Sequence, residues 1–151
     1  MKYLIDGLIE IIIFFLLGGI IWCIASATPA KAGIIADTLY MEARGEGEIG
    51  IRAVATVIYN RAKGDVTKLE AVCLAPKQFS CWNNRSKVPL RIKASDIRAY
   101  SLCVKIEQEL KSQKFYPIGN WTHYHSKDVT PYWNKNRKGE LIGNHIFLKT
   151  R

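Results

Sequence analysis

The apolar residues of this chain fall into two regimes. From Leu8 to Ala27 they form a nearly continuous run, Ile11-Ile12-Ile13-Phe14-Phe15-Leu16-Leu17 and then Ile20-Ile21-Trp22; beyond Ala27 they recur at intervals between polar positions. A helix that is apolar on every side makes a poor surface element. The charge-free stretch Ile11–Ala27 is slightly shorter than the ~20 residues that span a bilayer. It ends in Ala25-Ser26-Ala27, the small-x-small pattern of an export cleavage site. Residues 1–27 therefore read as an export signal or a signal-anchor helix, and 28–151 as one domain. The protein is expected outside the cytoplasm, in the periplasm or cell-wall space, held at the membrane if the segment stays uncleaved.

Within the domain the pattern predicts helices first. Ile34 to Ala43 is helical in composition, and Gly45, Gly47 and Gly50 break it. A second helix is expected from Glu48 to about Lys63, because Ile51, Val54, Ala55 and Ile58 fall at i, i+3, i+4, i+7 and form one buried face. Gly64-Asp65 closes it. A helical turn over Lys68–Cys73 leads into Ala75-Pro76-Lys77-Gln78-Phe79-Ser80-Cys81-Trp82-Asn83-Asn84, a loop of turn formers and aromatics of the kind that carries binding residues. A third helix is expected after Ser95 as N-cap, with Ala99, Leu102, Cys103, Ile106 and Leu110 on its stripe and Glu107, Glu109 and Lys111 outside it. After Pro117 the period changes. Trp121–Ser126 and His145–Lys149 alternate like short strands joined by a long basic connection. Helices followed by a small sheet define an α+β fold, mainly helical.

Composition narrows the class of protein. Hydrophobic residues make up 48% and charged residues 23% of the 151, which is ordinary globular usage and excludes a disordered chain. The net charge is +9, and only Lys2, Asp6 and Glu10 of the charged residues lie in the leader, so the basic excess belongs to the domain. Such a surface suits polyanions: nucleic acid, anionic lipid, or the acidic groups of a bacterial wall. Export would permit disulfides, and Cys73 and Cys81 flank a short loop that a local bridge could close. Cys103 would remain as a small buried hydrophobe.

Glu42 is the leading candidate for chemistry. It follows Leu39-Tyr40-Met41 in the last turn of an apolar helix, where partial desolvation and the negative end of the helix dipole both disfavour an ionised carboxylate. A carboxylic acid kept protonated can serve as general acid. The competing reading is an ordinary ion pair with Arg44 or Arg61. Glu46 and Glu48 are possible second carboxylates for a glycosidase, which needs a separation of roughly 5–9.5 Å, but Glu48 reads better as exposed charge.

These residues also carry a resemblance. Ala36-Asp37-Thr38-Leu39-Tyr40-Met41-Glu42-Ala43-Arg44-Gly45-Glu46, Ala53-Val54-Ala55-Thr56-Val57-Ile58-Tyr59-Asn60-Arg61 and Gln78-Phe79-Ser80-Cys81-Trp82 resemble the spore-cortex-lytic, SleB-type cell wall hydrolases. So do Thr122-His123-Tyr124-His125, Pro131-Tyr132-Trp133 and Ile142-Gly143-Asn144-His145-Ile146-Phe147, in the same order, over roughly residues 34–148. The resemblance implies a lysozyme-like, lytic-transglycosylase-like fold acting on the glycan strands of peptidoglycan, with Glu42 as the catalytic acid. One acid suffices for lytic transglycosylation, in which the muramic acid 6-hydroxyl attacks its own C1, and no cofactor is implied.

The remaining candidates would surround that acid. Gln78, Phe79, Ser80 and Trp82 could line a sugar cleft, with an aromatic face on the pyranose and an amide on its acetamido group; loop packing is the alternative for each. Tyr124 and His125 are assigned to the cleft and Asn144 to structure. His123, His125 and His145 could instead hold zinc in an amidase that releases stem peptides, though no carboxylate or cysteine at ligand spacing accompanies them, so no metal is expected. A third reading is a basic wall-binding or nucleic-acid-binding module without activity, with Trp82 and Trp133 as stacking faces; export argues against nucleic acid. The expectation is a monomeric peptidoglycan hydrolase.

Overall fold

The computed structural model describes residues 32–83, 90–134 and 138–149. The leader, including the cleavage site expected after Ala27, lies outside them. No helix among the described residues is long and apolar enough to cross a membrane.

Helix α1 spans Ile34–Ala43, and Ile35, Ala36, Thr38, Leu39, Tyr40 and Ala43 are all buried, so it is wrapped on most sides by the rest of the domain. It packs against α2 (Gly47–Arg61), α3 (Leu69–Leu74) and α4 (Ile97–Lys111). The expected face of α2, Ile51, Val54, Ala55 and Ile58, is buried, and Ala53, Thr56 and Val57 extend it because both flanks of this helix are covered. Gly47 at φ +67° makes the sharp turn between α1 and α2, a conformation that costs glycine little.

Two features of α4 differ from expectation. Ala94–Asp96 forms a 3₁₀ turn, so Asp96 and not Ser95 precedes the helix, and the Ser95 hydroxyl donates to Asp96 Oδ1 (2.8 Å) instead of capping helix N–H groups. Glu107 is buried, not outside the stripe. It follows Cys103 by four residues and precedes Leu110 by three, which is the buried face. Its burial is compensated because Oε2 accepts the Gly33 N–H (2.9 Å) and the Lys111 ammonium stands 3.0 Å from Oε1. The carboxylate thereby satisfies a backbone donor where α1 begins.

The carboxy-terminal part is a three-stranded antiparallel sheet in the order β1 (His123–Ser126), β3 (His145–Leu148), β2 (Glu140–Ile142). His123 pairs with Leu148 and Ser126 with His145, while Ile142 also faces His145. Strand β2 was not expected. It is joined to β3 by the two residues Gly143-Asn144, with Gly143 at φ +59°, the left-handed first position of a II′ hairpin turn. Phe147 is fully buried and carries the sheet into the helical core. The end of α2 fixes the chain just before β1: Asn60 Nδ2 donates to Gly119 O (3.1 Å) and Trp121 O (2.8 Å), and Arg61 Nε to Thr122 O (2.6 Å). The fold is therefore mainly helical with a small terminal sheet, as the period change after Pro117 implies.

Candidate active site

Glu42 stands in the last turn of α1, partly buried, and two other segments close on its carboxylate. The first is the loop after α3. Phe79 is 1% exposed and pins that loop into the core, while Trp82 Nε1 donates to Thr38 Oγ1 (2.9 Å), one helical turn before Glu42. Between these two anchors a 3₁₀ turn over Ser80–Trp82 aims the Cys81 N–H (3.2 Å) and the Ser80 hydroxyl (3.3 Å) at Glu42 Oε1. The second segment is β1, from which the Tyr124 hydroxyl donates to Oε2 (2.9 Å). The Tyr124 ring is held by stacking on Phe147 (5.4 Å) and by an edge contact with His145 (5.2 Å). Burial, and then the adjoining Glu42 carboxylate, push the Tyr124 phenol well above its usual range, so it stays protonated and able to donate.

Neither arginine forms the ion pair of the competing reading among the described ion pairs. Arg44 lies 3.6 Å from Asp96, and Arg61 turns its Nε to Thr122 O. Glu42 is thus met by hydrogen-bond donors from Ser80, Cys81 and Tyr124 and by no cation among the described ion pairs.

The other two acidic candidates are committed elsewhere. Glu46 Oε2 accepts the Asn144 N–H (2.7 Å) and Oε1 the Asn144 side-chain amide (3.1 Å), tying the α1–α2 turn to the β2–β3 hairpin. Burial would raise its pKa, but the Asn144 bonds outweigh that and hold the carboxyl below the usual range. Glu48 is exposed and pairs with Arg52 (3.0 Å).

Gln78 is exposed and lines a cavity of about 480 Å³ with Arg61, Lys77, Tyr124, Tyr132 and Trp133. Ser80 touches Glu42, as described, and Trp82 lines a second cavity of about 520 Å³ beside Leu74, Pro76 and Lys77. Phe79 departs from expectation: fully buried, it offers no face to a ligand and serves by packing beneath the loop. His125 departs as well. Strand alternation sends Tyr124 toward Glu42 and puts His123 and His125 on the other face, each 5.7 Å from the Trp133 ring, with His123 also lining the 480 Å³ cavity. The Ser126 carbonyl can only accept, so His125 Nδ1 carries the ring proton (2.8 Å) and Nε2 accepts from Asn134 Nδ2 (2.6 Å). His145 lies apart from both, against Tyr124 and Phe147, so the three histidines do not converge. No cluster of three His, Cys, Asp or Glu occurs among the described residues.

Cys73, Cys81 and Cys103 are free thiols, so the local bridge that the first two could have made is not formed. Burial pushes Cys73 up to about 11 and Cys103 up to about 12, and burial together with Glu42 pushes Cys81 upward as well. None is a ready thiolate nucleophile. Sequence reasoning missed the Cys81 N–H, which is invisible in side-chain identities. It also missed Arg61 as a cavity wall, having read that residue only as a possible ion-pair partner of Glu42.

The Cell Wall Hydrolase family model matches residues 45–148, more than half the chain, so this protein belongs to that family, the SleB-type hydrolases. Peptidoglycan is accordingly its substrate. Glu42 lies just before the matched span, so the case for it rests on the geometry above. No curated protein and no solved structure matches the chain.

Proposed function

We propose that the domain cleaves the peptidoglycan glycan strand between N-acetylmuramic acid and N-acetylglucosamine as a lytic transglycosylase, with Glu42 as its single acid. The observation that carries this reading is the convergence of Ser80, Cys81 and Tyr124 on a carboxylate that has no cationic partner among the described ion pairs. Because the Cys81 N–H can only donate, Oε1 is always an acceptor, and the proton of the acid resides on Oε2, beside the Tyr124 hydroxyl. That proton passes to the glycosidic oxygen as the C1–O bond breaks. The resulting carboxylate then takes the proton of the muramic acid 6-hydroxyl while its oxygen bonds to C1. The products are a 1,6-anhydro end and a free hydroxyl on the departing sugar, with no water consumed. A single acid agrees with Glu46 being held by Asn144 and Glu48 standing exposed.

The reading carries with it a lysozyme-like helical domain, a monomer, and an exported protein whose residues 1–27 are either cleaved or retained as a membrane tether. These rest on the sequence resemblance and on the leader's composition. The test is Glu42→Gln in the full chain on purified sacculi. Loss of general acid catalysis should slow lysis by about 10²–10⁴-fold while sedimentation with sacculi is retained. A variant that lyses as well as the wild type would refute Glu42.

A further inference from the structure

Arg61 is the charged group that the proposed reaction leaves unused. Its Nε is spent on Thr122 O (2.6 Å), its Cζ stands 5.3 Å over the Phe79 ring, and its Nη1 is buried without a hydrogen-bond acceptor among the described residues. No carboxylate pairs with it among the described ion pairs. A guanidinium stays protonated, so this is a permanent, largely desolvated cation without a counter-ion among the described residues. It forms a wall of the 480 Å³ cavity. Lys77 supplies a second cation to that wall from a left-handed backbone (φ +61°) that an L-residue adopts only at a cost. None of the described residues that line the cavity is acidic, and its other groups are the Gln78 amide, the His123 imidazole and the rings of Tyr124, Tyr132 and Trp133.

Tyr124 belongs to this cavity and also donates to Glu42, so a group bound there sits one side chain away from the acid.

Resting on the glycan-cleavage reading, we propose that the Arg61–Lys77 cavity binds a carboxylate of the stem peptide borne by the muramic acid being cut, making the enzyme selective for peptide-substituted strands. The lactyl group that carries this peptide is attached to the same ring whose C1–O bond breaks, which brings its carboxylates within reach of a neighbouring pocket. The other wall anion, a phosphodiester, attaches through C6 of muramic acid and blocks the hydroxyl that the reaction needs. A planar carboxylate also matches the guanidinium fork.

The test uses the full chain on sacculi stripped of phosphodiester polymers, with stem carboxylates either free or converted to methylamides. Release of glycan ends is measured for wild type, Arg61→Gln and Lys77→Gln. For the wild type, amidation should raise KM about tenfold with little change in kcat, in line with loss of a charge-assisted hydrogen bond. In Arg61→Gln, KM on free carboxylates should already be raised, and amidation should add almost nothing. Amidation effects of equal size in wild type and variant would assign the effect to general surface charge and overturn the proposal. So would an unchanged wild-type KM, or a preference for phosphodiester-bearing walls that survives amidation. Lys77 is exposed, so Lys77→Gln repeats the cycle with about a threefold coupling if Arg61→Gln fails to fold. Sedimentation of Glu42→Gln with and without Arg61→Gln separates the two readings: tighter binding to free than to amidated sacculi that disappears with Arg61→Gln upholds the cavity even if no glycan end is ever released, and a difference that persists overturns it.

Discussion

Replacing Tyr124 by Phe removes one oxygen from the molecule and leaves the ring where it is. The ring contacts with Phe147 at 5.4 Å, His145 at 5.2 Å and Phe79 at 6.5 Å are all retained, so packing should be nearly unchanged. What disappears is the 2.9 Å bond to Glu42 Oε2, the oxygen assigned the catalytic proton. Hydrogen bonds to a charged group contribute about 1.5–3 kcal/mol, and each 1.36 kcal/mol is a factor of ten in rate. If the bond orients the acid during proton transfer, kcat on purified sacculi should fall about 10–100-fold. KM should move by less than about threefold, and urea stability should fall by no more than the about 0.5–1.5 kcal/mol of an ordinary protein hydrogen bond. Initial rates of glycan-end release, paired with urea melts of the same preparation, separate the two effects. A Tyr124→Phe enzyme with wild-type kcat would show that the contact is a resting arrangement without catalytic consequence. A large loss of stability would make Tyr124 a structural residue instead.

Two further expectations concern the frame around the site. The folded pKa of Glu46 lies below its ordinary value of 4.5, so its stabilisation is complete above that value and is lost as pH falls through the folded one. Urea melts should therefore be flat from about pH 7 to 5 and weaken below about 4.5. Glu46→Gln should have a shallower acid limb, and identical limbs would contradict the Asn144 clamp. Glu107→Ala removes the acceptor for Gly33 N–H and the partner of Lys111, and should cost about 1–3 kcal/mol in urea unfolding; a change under about 0.5 kcal/mol would show that solvent replaces it freely.

Periodicity made the helices legible because each presents a dominant apolar stripe to one core. Ile34–Ala43 is predicted to the residue, and α2 differs by a residue or two at each end. Glu107 was misplaced because its charge was weighed above its position. Spacing put it on the buried face, and only Gly33, 74 residues away, shows why that is tolerated. Strand β2 was missed because Glu140-Leu141-Ile142 is too short and too exposed to alternate visibly. The signal that could have found it is the Gly143-Asn144 pair, a two-residue hairpin turn. At the site, the position of Glu42 in an apolar last turn was readable, and so was a loop rich in binding residue types. Which face of β1 meets the acid was not, since Tyr124 and His125 differ by one residue and only the register against β3 sends the first inward. Long-range geometry also decided Phe79, which composition alone could place equally in a cleft or a core.

The central claim, that one acid at the end of α1 cuts the glycan by internal attack, is tested most directly by mass spectrometry of the soluble products released from purified sacculi by the full chain. The account predicts muropeptides ending in 1,6-anhydro-N-acetylmuramic acid, absent when Glu42 is replaced by Gln. Reducing N-acetylmuramic acid ends would show hydrolysis by water, and freed stem peptides with intact glycan would show an amidase; either result would contradict it.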